Sequence, residues 1–171
     1  LVLSSLMLVD YVLYWTNYQY YLPHLTGMSA GFSFLFGPIL FIYLQFLLKP
    51  PQNKKLVFLH FIPFIIALIY LMPFYLLSAE AKRAIMINNF KNEAQGSVKL
   101  DLYIWLQLIY AGIYSIACYW LIIKSDILSE IKKWAMGLAI CYTGFVLALV
   151  SYYVLIQFPF FNRQWDYMIA F

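Results

Sequence analysis

The stretch Leu102–Ile123, LYIWLQLIYAGIYSIACYWLII, contains no charged residue. As a helix it would extend about 30 Å, the thickness of the hydrocarbon core of a bilayer. A soluble domain of this size breaks its apolar residues into shorter amphipathic segments separated by charge. The reading of this one segment therefore decides the fold class: α-helical and built for lipid.

Similar runs lie on both sides of it. One from about Trp134 to Phe158 follows and stops at Pro159, while runs from about Leu56 to Leu77 and from about Met28 to Leu48 precede it. A first run, Leu1 to about Tyr18, reads as a truncated span, and a sixth opens at Trp165 and breaks off at Phe171. The expected fold is all-α, a polytopic integral membrane helical bundle of five spans and the start of a sixth. Residues 1–171 then form one partial transmembrane sensor or anchor domain. Because the chain starts at Leu and stops inside a span, it reads as the middle of something longer.

Composition agrees with this. Apolar residues make up 65% and charged residues 11%, with a mean hydropathy of +0.79, whereas soluble domains are about half apolar and a quarter charged. The net charge of +4 does not indicate a nucleic-acid surface, since the basic residues fall in loops rather than along a helix or ribbon that could track phosphates. Topology accounts for it better. Lys49, Lys54 and Lys55 fill the second loop and Lys124, Lys132 and Lys133 the fourth, against Arg163 alone in the fifth and none in the first. The positive-inside rule places the lysine-rich pair in the cytoplasm, and whatever follows Phe171 emerges there too. The longest connection, 78–101, mixes Glu80, Lys82, Arg83, Lys91, Glu93, Lys99 and Asp101 and reads as solvent-facing on the outer side. Turns are expected in it at Asn88-Asn89 and Gln95-Gly96-Ser97.

Within the spans, Asp10 is the one deep carboxylate, and such a charge faces a bundle interior or a wet cavity. Helical spacing puts Asp10, Tyr14, Asn17 and Tyr21 on one face, and Tyr103, Gln107, Tyr110 and Tyr114 form a similar stripe on the fourth span. Two readings stay open: these stripes bind a ligand or sense a proton, or their hydroxyls and the Asp10 carboxyl merely satisfy one another in the packing. Ser29, Ser33 and Gly37 repeat every four residues. Gly137, Cys141, Gly144, Ala148 and Ser151 follow steps of four and three, so both rows are expected to be close-packing faces. Pro38, Pro63 and Pro73 are expected to interrupt and bend their spans. Cys118 and Cys141 lie inside apolar runs, where a thiol packs as a small hydrophobe. His24 and His60 fall near opposite membrane faces and cannot share a metal. No cofactor motif, paired intramembrane carboxylates or nucleophile–base set is visible, so the residues do not point to an enzyme.

The runs Gly31–Leu48, GFSFLFGPILFIYLQFLL, and Leu59–Tyr75, LHFIPFIIALIYLMPFY, carry Phe-Gly-Pro-Ile-Leu-Phe-Ile-Tyr and His-Phe-Ile-Pro-Phe. With Asp10 and the Leu22-Pro23-His24 turn before them, they resemble the membrane part of bacterial AraC-type transcriptional regulators with a multi-helix N-terminal region. The resemblance spans most of the chain. It implies a multi-pass protein of the bacterial inner membrane, starting at the second of about seven membrane helices. DNA would be bound through a cytoplasmic helix-turn-helix domain that these residues do not include. It also implies pairing as a homodimer and an unknown signal ligand, with the lipid bilayer as the immediate partner. The readings kept beside it are the membrane input module of a sensor histidine kinase and a small transporter or channel subunit.

Overall fold

The computed structural model describes residues 2–48, 54–94, 102–126 and 128–155. Among them are six α-helices: α1 (Val2–Trp15), α2 (Ser33–Leu48), α3 (Ile62–Tyr75), α4 (Ala79–Ala94), α5 (Leu102–Ile123) and α6 (Ser129–Leu155), with 3₁₀ turns at Tyr18–Tyr20 and Lys54–Phe61. Three helical segments are long and apolar enough to cross a membrane: Lys55–Tyr75, in which the 3₁₀ stretch runs on into α3, then α5 and α6. Helices α1 and α2 are apolar but shorter. The expected sixth span, with Pro159 and Arg163, lies outside the described residues, as do the turn at 95–97 and most of the loop from Lys49 to Lys54.

The chain divides into two compact units, Leu1–Leu35 with His60–Ser97, and Phe36–Leu59 with Val98–Phe171. In the second unit α5 and α6 run antiparallel: Cys118 and Ile122, late in α5, cluster with Ala135 and Ala139, early in α6, whereas the earlier Ala111 and Tyr114 cluster with the later Tyr142 and Val146. Leu44 and Leu48 of α2 pack on Cys118, Ile122, Ala135 and Ala139, so two bulky leucines fill the space that two alanines leave open. A second cluster joins Ala111, Tyr114, Tyr142 and Val146 to Phe36, Leu40 and Phe41. Here Phe41 meets Tyr114 edge-on at 5.8 Å between ring centroids.

Apolar residues lie on both sides of α5. Leu108, Ala111, Cys118 and Ile122 are buried together with the polar Gln107 and Ser115, while Ile109, Ile113, Ile116 and Ile123 face outward, Ile116 at 72% exposure. In water this arrangement would leave apolar area exposed that burial normally stabilises by about 25 cal/mol per Å². The exposed isoleucines of α3, Ile65, Ile66 and Ile69, repeat the pattern in the first unit.

Four expectations change. The connection after α3 is not an extended loop with a turn at Asn88-Asn89, since α4 is helical through it and buries Lys82 and Met86. The predicted span from Met28 begins as a helix only at Ser33, and residues 22–32 form successive tight turns. Pro63 does not interrupt a helix: it sits in the first turn of α3, where the missing N–H has no intrahelical partner to lose. Finally, Gly137, Cys141, Gly144, Ala148 and Ser151 are exposed. The buried side of α6 is Ala135, Ala139, Tyr142 and Val146, the first two packed with Leu44, Leu48, Cys118 and Ile122 and the last two with Ala111 and Tyr114.

Candidate functional site

Asp10 sits on α1 and accepts three hydrogen bonds from one turn. Gly27 N–H donates to Oδ1 at 3.1 Å, and the Ser29 N–H and hydroxyl donate to Oδ2 at 3.0 and 2.6 Å. An ionised carboxylate is acceptor-only, so two backbone amides and a hydroxyl suit it well. The turn can present these donors because Gly27 takes a left-handed φ of 73°, which a residue without Cβ adopts at no steric cost. Its carbonyl in turn accepts from the Tyr75 hydroxyl at 2.8 Å, at the end of α3. A single carboxylate thereby connects α1, the 27–29 turn and α3.

From α4, Arg83 Nε donates to the Tyr20 carbonyl, in the 3₁₀ turn after α1, at 2.7 Å, and from α3 Phe74 packs 3.6 Å from where a Cβ on Gly27 would lie. Gly31 is buried, and a Cβ on it would stand 3.3 Å from the Phe64 ring. The backbone here is irregular but bonded: Leu25, Met28, Ala30 and Phe32 donate to carbonyls three residues back, and Asp10 takes two of the remaining amides.

The predicted stripe beyond Asp10 is shorter than helical spacing implies. Tyr14 follows Asp10 on α1 and stacks edge-on with Trp15, but the helix ends at Trp15. Asn17 adopts a left-handed φ of 61°, so neither it nor Tyr21 continues the α1 face. In the second unit, Tyr103 is half-buried and Gln107 buried. Tyr110 donates to Tyr114 across 3.4 Å with their rings 4.8 Å apart. The two stripes belong to different units, each with its own surroundings.

Of the packing residues, Ser33 opens α2, and Gly37 lies where a Cβ would come within 2.7 Å of the Tyr142 hydroxyl and 2.8 Å of Tyr114 Cβ. Only glycine admits that approach. Pro38 is fully buried within α2, and Pro73 lies in the last turn of α3. Added carbons at Gly137 or Gly144 would meet nothing within 4 Å.

Sequence reasoning missed Ser29 as the partner of Asp10, having placed it in a small-residue row with Ser33 and Gly37, and it missed Tyr75 altogether. It also missed a hydroxyl cluster between α5 and α6. There Thr143 donates to the Ala139 carbonyl at 2.8 Å, and the hydroxyls of Ser115 and Tyr119 lie 2.7 and 3.2 Å from it. Nothing in spacing alone pairs positions 28 residues apart. At the α5–α6 turn, Lys132 donates to the carbonyls of Ile123 and Ser125 at 3.4 and 3.2 Å. A cation there is favoured by the negative end of α5.

Comparison with known protein families, with curated proteins and with solved structures gives no match to this chain.

Proposed function

We propose that this chain is the membrane sensor and anchor region of a bacterial one-component transcriptional regulator whose DNA-binding domain lies outside these residues. The observation that carries the reading is the Asp10 connection. It is a polar tie inside an apolar bundle, placed where making or breaking it moves α1 and α3 relative to the 27–29 turn. A signal that binds one of the two arrangements better shifts the population between them. The outward apolar faces of α3, α5 and α6 and the lysine-rich α5–α6 turn support a multi-pass arrangement with that turn in the cytoplasm. In this reading α1 and α2 enter the bilayer as well. The irregular 22–32 segment between them is tolerated at depth because its amides are bonded to its own carbonyls and to Asp10.

Two measurements test this. With Cys118 and Cys141 replaced by alanine, a membrane-impermeant maleimide added to intact cells is expected to label His24→Cys and not Ser129→Cys. Fusion of the chain to a DNA-binding domain that acts only when correctly paired is expected to give a reporter output that Asp10→Asn changes while membrane abundance stays constant. An unchanged output would remove Asp10 from signalling, and labelling of Ser129→Cys from outside would reverse the orientation. The kinase-input alternative uses the same membrane region and differs only in what it drives.

A further inference from the structure

The outward face of α5 runs through Ile109, Ile113, Ile116 and Trp120, all exposed and spaced by four, three and four residues, so they form one stripe along the helix. In a bilayer such a stripe faces lipid. Lys124, four residues after Trp120, closes it. The usual course for a lysine at a membrane boundary is outward, past the helix end and into water. Lys124 instead folds back along α5, and its Nζ stands 4.1 Å over the Trp120 ring.

The depth of this pair follows from the helix ends. α5 ends at Ile123 and the antiparallel α6 starts at Ser129. At the helical rise, Trp120 lies about 5 Å before the first point and Trp134 about 8 Å after the second. Both indoles are exposed, so they stand at one membrane boundary, where tryptophan concentrates at headgroup level.

The three lysines of this turn are not equivalent. Lys133 pairs with Glu130 at 3.2 Å, and Lys132 donates to the Ile123 and Ser125 carbonyls at 3.4 and 3.2 Å. Lys124 is exposed, and neither Asp126 nor Glu130 pairs with it. The indole face attracts its charge but accepts none of its three N–H bonds. At headgroup depth the acceptor that matches an ammonium is a lipid phosphate.

We infer that Trp120 and Lys124 form a contact site for anionic lipid, in which a phosphate oxygen accepts from Lys124 Nζ while an acyl chain lies along Ile116, Ile113 and Ile109. Phosphatidylcholine also carries a phosphate, but its own cation competes with Lys124 for it. Phosphatidylglycerol has no such cation. The inference rests on the membrane reading of α5 and goes beyond it by naming the lipid that this end of the helix selects.

The test is tryptophan quenching by brominated lipid in vesicles. Trp15, Trp105, Trp134 and Trp165 are replaced by phenylalanine so that Trp120 alone reports, and a companion chain keeps only Trp105, near the opposite end of α5. Brominated phosphatidylglycerol and brominated phosphatidylcholine are each diluted into phosphatidylcholine and compared. At Trp120 the relative binding constant is expected to favour phosphatidylglycerol about fivefold, which is what one lysine at a charged surface supplies. At Trp105 no preference is expected. Lys124→Gln is expected to bring Trp120 to the Trp105 value, Lys124→Arg to keep the preference, and Lys133→Gln to change it little. If the single-tryptophan chains do not fold, mass spectrometry of lipids retained by the unmodified chain and by its Lys124→Gln variant gives the same comparison. Equal constants for the two lipids at Trp120, or a preference that survives Lys124→Gln, overturn the inference and leave α5 as a span. Absence of quenching by either lipid removes the span as well.

Discussion

Replacing Asp10 with alanine should loosen one turn and leave the distant helices untouched. The substitution removes the acceptor for the Gly27 and Ser29 amides, bonded at 3.1 and 3.0 Å, and for the Ser29 hydroxyl at 2.6 Å. The hydroxyl can rotate to another acceptor, but the two amides cannot. A buried N–H left without a partner costs about 1–3 kcal/mol. These bonds are part-buried, so the lower half of that range applies to each, giving about 3 kcal/mol in total. At about 1.4 kcal/mol per factor of ten, local opening of the turn rises on the order of 100-fold. Hydrogen exchange of the chain in nanodiscs, read by mass spectrometry, reports such opening directly. Amides in 22–32 should exchange about 100-fold faster in Asp10→Ala, while those in 107–118 keep their rates. Asp10→Asn retains one acceptor oxygen and turns a donor toward the other site, so an increase of about tenfold is expected. If 22–32 exchanges in Asp10→Ala as in the unmodified chain, the turn is held by its own short-range bonds, such as Leu25 N–H to the Leu22 carbonyl at 3.0 Å, and the connecting role of Asp10 fails.

Tyr75→Phe removes only the 2.8 Å bond to the Gly27 carbonyl; a loss of about 1 kcal/mol is expected, seen as roughly fivefold faster exchange in the same segment. Gly37→Ala places a carbon 2.7 Å from the Tyr142 hydroxyl and 2.8 Å from Tyr114 Cβ, and should destabilise the chain by about 1–3 kcal/mol in detergent unfolding. Gly144→Ala meets nothing within 4 Å and should be neutral or stabilising by up to about 1 kcal/mol, through helix propensity alone. Thr143→Val withdraws the centre of the Ser115–Tyr119 hydroxyl cluster and should cost about 1 kcal/mol. Combined with Ser115→Ala, the loss should be less than the sum of the two single changes, because both act on one network.

What could be read in advance depended on how far each bond reaches along the chain. The fourth predicted span, Leu102–Ile123, is α5 to the residue, because a helix closes all its backbone bonds within four residues and needs only an apolar sequence to persist in lipid. The hydrophilic composition of 79–94 concealed α4, whose backbone bonds are just as local; apolarity was the signal being followed, and α4 lacks it. Face assignments failed for a different reason. Gly37 and Gly144 look alike in sequence, yet one lies beneath two tyrosines and the other beneath nothing, so which glycine is indispensable is determined by residues more than 70 positions away. The Asp10 connection combines both difficulties. Extending the helical repeat past Trp15 pointed from Asp10 to Asn17 and Tyr21, but the left-handed residues at 17 and 27 turn the chain back so that Ser29, 19 residues on, receives the carboxylate. Asp10 was recognisable as exceptional because a charge in an apolar run is costly wherever it points. Its partner was not, since that choice is made by two backbone conformations that no periodicity encodes. The same argument sets the order of experiments on this chain: substitutions at residues 17 and 27, which fix the path of the turn, should perturb Asp10 as strongly as changes to Ser29 itself.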